Sequence, residues 1–189
     1  MSNIKLYFTI LILLFIIQSC EKEEINPDKL VLPEITTSGK RTFGAIVNGK
    51  IWTANGGSVC FLCSPNPYAR VDYTPSPNDR PSIMYLGASN SYNEILNESI
   101  GLVFNITDNL KVGEKIELNK SNIFSRISFY DELNKCSVIS DDSTNGYIEI
   151  KRLDLENGIV SGIFEADLID DCDTIYIKQG RFDLVFSTR

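Results

Sequence analysis

Regular alternation of apolar and polar residues is the feature that most constrains how this chain can fold. In the segment 99–107 every second residue is apolar, namely Ile100, Leu102, Phe104 and Ile106. A period of two places such side chains on one face of a β-strand. No window of twelve residues shows a convincing period of 3.6, so the pattern predicts no long helix. We therefore expect an all-β domain.

Two Asn-Gly pairs predict hairpins between alternating segments. Asn48-Gly49 and Asn157-Gly158 each separate two strand-like runs, and both residues of such a pair accept the positive φ of a two-residue turn. The predicted strands are Thr42–Val47, Lys50–Trp52, Ala69–Tyr73, Ser82–Ala88, Ser99–Thr107, Lys115–Leu118, Ile123–Tyr130, Tyr147–Leu153, Ile159–Asp167, Thr174–Lys178 and Arg181–Ser187. About ten strands at this spacing predict an antiparallel β-sandwich or flattened barrel, a single domain spanning residues 42–189.

The first twenty residues predict an exported, lipid-anchored protein. The apolar run Leu6–Ile17 is twelve residues long, whereas a signal-peptide core holds about 7–15 residues and a spanning helix needs about 20. The following Ile17-Gln18-Ser19-Cys20 resembles the lipobox of bacterial lipoproteins. This resemblance implies that residues 1–19 are a cleaved signal peptide and that Cys20 carries the lipid. A general signal peptide cut elsewhere, with Cys20 an ordinary thiol, is the alternative.

Residues 20–41 are predicted to form a flexible tether between the lipid and the domain. They are polar, contain Pro27 and Pro33, and show no sustained period. The acidic run Glu21-Lys22-Glu23-Glu24 resembles the signal that sends lipoproteins of the Bacteroidota to the cell surface. That resemblance implies a lipid-anchored protein of the outer membrane that faces the exterior, with the periplasmic face as the alternative.

Motifs near both ends of the domain resemble a family of uncharacterised Bacteroidota lipoproteins. The first motif is Thr42-Phe43-Gly44-Ala45, followed by Val47-Asn48-Gly49-Lys50 and Trp52. The second comprises Gly162, Phe164 and Ala166, followed by Gly180-Arg181-Phe182-Asp183. The resemblance implies a β-sandwich lipoprotein. It implies no activity, because the motifs are turn and strand patterns.

Charge and histidine content exclude several functions. The chain has 18 Lys and Arg, 25 Asp and Glu, a net charge of −7 and no histidine. So acidic a protein lacks the basic surface that binds nucleic acid, and we expect no nucleic-acid partner. Without histidine there is neither a Ser-His-Asp triad nor a His-ligated metal site. We expect no cofactor.

Four cysteines besides Cys20 predict two disulfides in an exported protein; they are Cys60, Cys63, Cys136 and Cys172. Extending the Asn157-Gly158 hairpin, with Glu156 opposite Ile159, brings Cys172 towards Cys136. This favours a Cys136–Cys172 bond and leaves Cys60 with Cys63, a pair that must form in a turn because strand residues three apart are about 10 Å from each other. A redox-active Cys-x-x-Cys site and a four-cysteine zinc site are the alternatives.

Two groups of residues are candidate binding sites. Asp170, Asp171 and Asp173 are weak candidates for calcium, because the run lacks the ligand spacing and the bidentate Glu of a calcium loop and a solvated turn explains it better. Four tyrosines lie in or beside two segments predicted as long loops, Cys63–Pro81 and Ser89–Glu98; they are Tyr68, Tyr73, Tyr85 and Tyr92. Aromatic side chains on the loops of a rigid sandwich often bind sugars or peptides, and half-buried strand tyrosines are the alternative.

The leading functional hypothesis is a non-catalytic binding module, attached to the membrane by its N-terminal lipid, that binds a glycan or a protein. One alternative is a histidine-free hydrolase that uses carboxylates, which a cleft with two facing carboxylates would favour. The other is a structural accessory subunit of an outer-membrane complex. A large exposed apolar patch would favour this last hypothesis.

Overall fold

The structure, a computed structural model, describes residues 30–55, 65–72, 82–92, 96–106, 110–118 and 125–188. These residues form strands and turns, and they contain no helix long and apolar enough to cross a membrane. The strands are β1 Thr42–Val47, β2 Lys50–Thr53, β3 Tyr68–Asp72, β4 Ser82–Tyr92, β5 Leu96–Ile106, β6 Lys115–Glu117, β7 Arg126–Asp131, β8 Cys136–Ile139, β9 Asn145–Asp154, β10 Ile159–Ile169, β11 Thr174–Val185 and β12 Ser187–Thr188.

The strands form two sheets that pack face to face, which confirms the predicted β-sandwich. Sheet A has the order β2-β1-β11-β10-β9-β6 and sheet B the order β12-β3-β4-β5-β7-β8. Neighbours are antiparallel except β12, which pairs parallel with β3. Alternation places the predicted apolar face inside, since Ile100, Leu102 and Phe104 of β5 are at most 1% exposed. The interior is one continuous apolar core.

Two glycines and two phenylalanines interlock the central strands of sheet A. Gly162 lies opposite Phe182, and Phe164 lies opposite Gly180. A Cβ on Gly162 would come within 2.6 Å of the Phe182 ring, and one on Gly180 within 2.7 Å of the Phe164 ring. Each ring therefore lies on the glycine of the facing strand. Phe43 of β1 joins them, with its ring centroid 5.3 Å from that of Phe164.

One strand, β11, replaces the two that the sequence predicted at 174–178 and 181–187. The register with both neighbouring strands shifts around Gln179, which has a φ of 50°. Such a bulge inserts one residue and lets the two halves of the strand keep the same face towards the core. The Gln179-Gly180 pair resembles a turn in sequence, and for this reason two strands were predicted where the structure has one.

The two Asn-Gly hairpins differ in their turns. Asn48-Gly49 forms the predicted two-residue turn, with Val47 opposite Lys50. At the second hairpin Asp154, not Glu156, lies opposite Ile159, so the register assumed from sequence was wrong. The reason is a longer turn, in which the Asp154 carboxylate accepts hydrogen bonds from Asn157 N and Nδ2, both at 2.9 Å.

The hairpin between β7 and β8 has the same turn. The Asp131 carboxylate accepts hydrogen bonds from Asn134 N at 3.1 Å and Asn134 Nδ2 at 2.7 Å. Lys135 follows with a φ of 53°, where Gly158 has 63° in the other turn. Strand β8 was not predicted, because its four residues are too few to show a period.

A disulfide between Cys136 and Cys172 confirms one predicted bond. Cys136 is the first residue of β8 in sheet B, and Cys172 lies in the turn between β10 and β11 of sheet A. The bond therefore joins the two sheets at one edge of the sandwich. Cys60 and Cys63 lie outside the described residues, as does Cys20, so the second bond and the lipidation site stay predictions.

Part of the predicted tether lies on the outer face of sheet A. We call residues 33–40 the N-terminal strap. The Asp183 carboxylate, 1% exposed, accepts hydrogen bonds at 2.6–3.2 Å from four strap donors, the Thr36 hydroxyl and the backbone N–H groups of Ser38, Gly39 and Lys40. Charge-assisted bonds of this kind are about twice as strong as neutral ones. They hold the strap against β11.

Two arginines bind the same strap by its carbonyl groups. Arg181 Nη1 donates to Pro33 O at 3.0 Å, and Arg152 Nη1 donates to Thr37 O at 2.7 Å. The Pro33 ring lies on Gly44, where a Cβ would come within 2.6 Å of it. The strap therefore contacts β1, β11 and β9 on the outer face of sheet A.

Replacing both bonded cysteines, with Cys136→Ala and Cys172→Ser, should lower the free energy of unfolding. The bond spans 36 residues, and the loss of chain entropy from closing such a loop predicts at most about 4 kcal/mol. Urea unfolding measures the change. The matched control replaces Cys60 and Cys63 by serine. Unchanged stability of the first variant would contradict the prediction.

Asp183→Asn should destabilise the domain by about 2–4 kcal/mol, because hydrogen bonds to a charged group contribute about 1.5–3 kcal/mol each and the amide accepts them less well. Burial alone would raise the pKa of Asp183, but the strap hydrogen bonds lower it below 3.8. Its contribution is therefore present above that value and is lost as the pH falls through the folded-state pKa. Acid unfolding of the variant, with exposed Asp171→Asn as control, tests both effects.

Candidate functional site

A row of five residues, with three small ones in the middle, crosses the outer face of sheet B. Tyr68, Gly87, Gly101, Ser128 and Ile139 lie opposite one another on β3, β4, β5, β7 and β8. Because Gly87, Gly101 and Ser128 carry little or no side chain, the face is hollow beside Tyr68, from β4 to β7. We call this hollow the trough. It has a volume of about 480 Å³ and is lined by Pro65, Asn66, Tyr68, Gly87, Ala88, Ser89, Ser99, Ile100, Gly101 and Ser128.

Tyr68 forms an aromatic platform at one end of the trough. A Cβ on Gly87 would overlap the Tyr68 ring and its hydroxyl oxygen, so the ring lies flat against the bare backbone of β4. Tyr68 is 40% exposed, which means that the ring surface turned away from the sheet meets solvent. An aromatic face that is fixed from below and open above is suited to stacking.

The Asn66 side chain fixes the wall beside this platform. Its Nδ2 donates to the backbone O of Ser89 at 2.8 Å, and its Oδ1 accepts from the backbone N of Ser89 at 2.8 Å. The same Nδ2 donates to Asn55 O at 2.8 Å. The amide thus pairs with β4 as a strand residue does, and it extends the pairing of β3 beyond Tyr68. These three hydrogen bonds hold the Asn66 side chain, and with it the wall, in place.

A second tyrosine predicted from sequence, Tyr85, lies on the same outer face but has a different environment. Tyr85 is opposite Arg70, whose guanidinium carbon lies 5.1 Å from its ring centroid. Arg70 also forms an ion pair with Asp72, with Nε and Oδ1 3.0 Å apart. The Tyr85 ring is therefore already in contact with Arg70. Of the two tyrosines, Tyr68 lines the trough.

The structure places both of these tyrosines on strands. Tyr85 lies within β4, inside the strand predicted at 82–88, whereas Tyr68 is the first residue of β3 and falls in the segment predicted as the loop 63–81. The segment predicted as the loop 89–98 consists of strand up to Tyr92 and again from Leu96, because polar residues on the outer face of a sheet resemble a loop in sequence. Tyr73 lies outside the described residues, and the Tyr92 side chain is not among those described.

Sequence reasoning missed the opposite side of the site. Tyr130 of β7 lies opposite Ser99 of β5 and is 38% exposed. Ile139, at the end of the row, is 46% exposed. Both residues belong to alternating strands, and alternation alone could have placed them outward. What the sequence does not contain is the register that aligns them with Gly101 and Ser128.

The chemistry of the trough is neutral and rich in hydrogen-bonding groups. None of the ten described residues that line it is charged. They offer the hydroxyl groups of Ser89, Ser99 and Ser128, the Tyr68 ring, and backbone exposed at the glycines. Such a lining is suited to a neutral, hydroxyl-rich ligand. It provides no carboxylate for general acid or base chemistry within the described part of the site.

The aspartates predicted as weak calcium ligands lie in the turn between β10 and β11. Asp171 N donates to Asp170 Oδ1 at 2.6 Å, and Thr174 N donates to Asp173 Oδ1 at 2.7 Å. The carboxylates of Asp170 and Asp173 thus accept hydrogen bonds from the turn itself. No group of three or more Asp, Glu or Cys placed to hold a metal ion occurs within the described residues.

Comparison with known proteins assigns no relative to this chain. No protein-family model matches it, and neither a curated protein nor a solved structure shows significant similarity to it. The resemblance to Bacteroidota lipoproteins therefore stays a prediction. Any function has to be inferred from the trough and its surroundings.

Gly87→Ala should destabilise the domain by about 1–3 kcal/mol, because the new methyl group must displace the Tyr68 ring. In a Tyr68→Ala background the same change should cost nothing or stabilise by about 0.5–1 kcal/mol, since alanine loses less entropy than glycine in a strand. A double-mutant cycle from urea unfolding measures the coupling. Equal effects in both backgrounds would show that the ring does not lie on Gly87.

Proposed function

We propose that this protein is a lipid-anchored outer-membrane lipoprotein that binds neutral glycan chains, without cleaving them, in the trough of sheet B. The observation that carries this proposal is the combination of a fixed, open tyrosine face with an uncharged lining. Sugars have apolar C–H faces that stack on aromatic rings and hydroxyl groups that exchange hydrogen bonds with serines, amides and backbone.

The shape of the trough supports an extended ligand. Its lining runs across the strands from Tyr68 on β3 to Ser128 on β7. Three spacings of about 4.8 Å between strands make this about 14 Å, enough for about two or three linked sugar rings. Tyr130 borders the same path two residues from Ser128, so a chain that stacks on Tyr68 passes close to a second exposed aromatic ring.

The position of the N-terminal strap supports display of the trough away from a membrane. The strap lies on the outer face of sheet A through Asp183 and Arg181, whereas the trough lies on the outer face of sheet B. A lipid on Cys20 would therefore be connected to the side opposite the trough. The predicted orientation towards the cell exterior gives such a face access to external polymers.

The two alternatives have less support. A carboxylate-based hydrolase needs two carboxylates facing its substrate, and the described lining of the trough offers none. An accessory subunit needs a contiguous apolar patch. The exposed large apolar residues of sheet B are Tyr68, Tyr130 and Ile139, while Ile169 and Val112 lie elsewhere on the domain.

Binding to a glycan array, followed by titration of the best neutral oligosaccharide, tests the proposal. Tyr68→Ala should weaken binding about tenfold or more, because loss of a well-packed aromatic anchor costs about 2 kcal/mol. Ser128→Tyr should block binding by filling the floor of the trough. Both variants should keep the wild-type circular dichroism spectrum.

Tyr176→Ala is the matched control, because Tyr176 is 51% exposed on the outer face of sheet A. This variant should bind as the wild type does. Equal losses for Tyr68→Ala and Tyr176→Ala, or binding that survives Ser128→Tyr, would contradict a site in the trough. Release of shortened oligosaccharides during the titration would favour the hydrolase instead.

A further inference from the structure

Polar residues interrupt the apolar inner face of sheet B at one end. Asn90 of β4 lies opposite Glu98 of β5, and Glu98 lies opposite Asp131 of β7. Each lies two positions from a core residue on its own strand and therefore on the same inner face. For Asn90 that core residue is Ala88, 4% exposed, and for Glu98 it is Ile100, 1% exposed. Opposite residues on one face have Cβ atoms about 5 Å apart, so the three side chains are neighbours.

Two buried polar atoms beside this row have no hydrogen-bond partner. Asn90 is 4% exposed and its Oδ1 accepts no hydrogen bond. Trp52 of β2 is 3% exposed and its Nε1–H makes no hydrogen bond of normal distance and angle. Unsatisfied buried groups cost about 1–3 kcal/mol each, and native proteins rarely keep them. Asn90 Oδ1 needs a hydrogen-bond donor, and Trp52 Nε1–H needs an acceptor.

Glu98 lies opposite Asn90, and the Trp52 side chain affects its ionisation. Burial raises the pKa of Glu98 above 4.5, and the negative charge of Asp131 raises it further. The Trp52 N–H, close enough to the carboxyl group to favour its charged form, and the charge of Lys50 oppose this rise without cancelling it. Asp131, Lys50 and Trp52 are the groups around Glu98 in the described strands that influence its charge.

We propose that Glu98 is a proton-binding site that joins Trp52 and Asn90 in one buried hydrogen-bonded chain. The proton sits on one Glu98 oxygen, which donates to Asn90 Oδ1. The other Glu98 oxygen accepts from Trp52 Nε1–H. The proton satisfies Asn90 Oδ1 and removes the repulsion from Asp131, whose own carboxylate is held by Asn134. The Trp52 N–H is accepted by the other Glu98 oxygen in either protonation state. Ionisation breaks the bond to Asn90.

Two other arrangements compete with this one, and they predict opposite behaviour. With the Asn90 amide rotated by a half turn, Nδ2 would donate to an ionised Glu98. With a hard cation at the row, Asn90 Oδ1 and both carboxylates would be ligands. Both arrangements favour the charged form of Glu98, whereas a proton site favours the neutral form. Only the proton site makes stability fall as the pH rises above 4.5.

The indole N–H signal of Trp52 is a direct reporter, because the chain has one tryptophan. In ¹H–¹⁵N spectra of the whole mature domain this signal should shift with a midpoint above pH 4.5, the ordinary pKa of Glu98. Glu98→Gln should abolish the shift, since glutamine keeps a donor and an acceptor and does not titrate. A signal that stays constant from pH 4 to 8 in the wild type would overturn the proposal.

Thermal unfolding provides the independent readout. Glu98→Gln should match the wild type in Tm at pH 4 and exceed it by a few degrees at pH 8, because the amide keeps the chain intact. Glu132→Gln is the control. Glu132 lies in the turn after β7, where its exposed carboxylate accepts a hydrogen bond from Asn97 Nδ2 at 2.6 Å, so this variant should keep the wild-type pH dependence. A Glu98→Gln variant less stable at pH 8 would support the ionised arrangement. A wild-type Tm raised by calcium at pH 8 would support the cation.

Discussion

The reciprocal packing of phenylalanine on glycine in β10 and β11 is the interaction on which the rest of the sandwich depends. Phe182 lies on Gly162 and Phe164 lies on Gly180, so the two rings sit low on sheet A and Phe43 packs against both. Any side chain at the glycines would lift the rings away from the backbone. The core is about 10 Å thick in such sandwiches, and it leaves no room for that change.

The same two strands determine what each outer face carries. Asp183 follows Phe182 directly, and with Phe182 facing inward its carboxylate points outward, where it binds the N-terminal strap. The bulge at Gln179 keeps this parity along the whole of β11. In consequence the N-terminal strap lies on the outer face of sheet A, and the trough lies on the outer face of sheet B. The motif near the C-terminus is thus explained by packing and by the strap.

Alternation in the sequence predicted most strands and the sandwich itself, because the buried face of a strand repeats every two residues. The same signal failed where polar residues faced outward, as at Ser89, and where a strand was too short, as in β8. A better reading of turns could have located β8, since Asp131 and Asn134 repeat the spacing of Asp154 and Asn157. Tyr68 was predicted as a binding residue, but the trough was not. Its shape depends on the register of three strand pairs, which no local pattern contains.

The strand glycines therefore have different roles in the two sheets. In sheet A the bare backbone at Gly162 and Gly180 faces inward and is covered by rings of the core. In sheet B the bare backbone at Gly87 and Gly101 faces outward, where Tyr68 covers only the first. Gly101 has no comparable ring above it, and the nearest atom to a Cβ there would be the Ser128 hydroxyl oxygen at 2.7 Å. A strand glycine weakens its sheet and usually marks a close approach by something else. At Gly101 the protein supplies a hydroxyl group and open space, which is the arrangement expected where a ligand makes that approach.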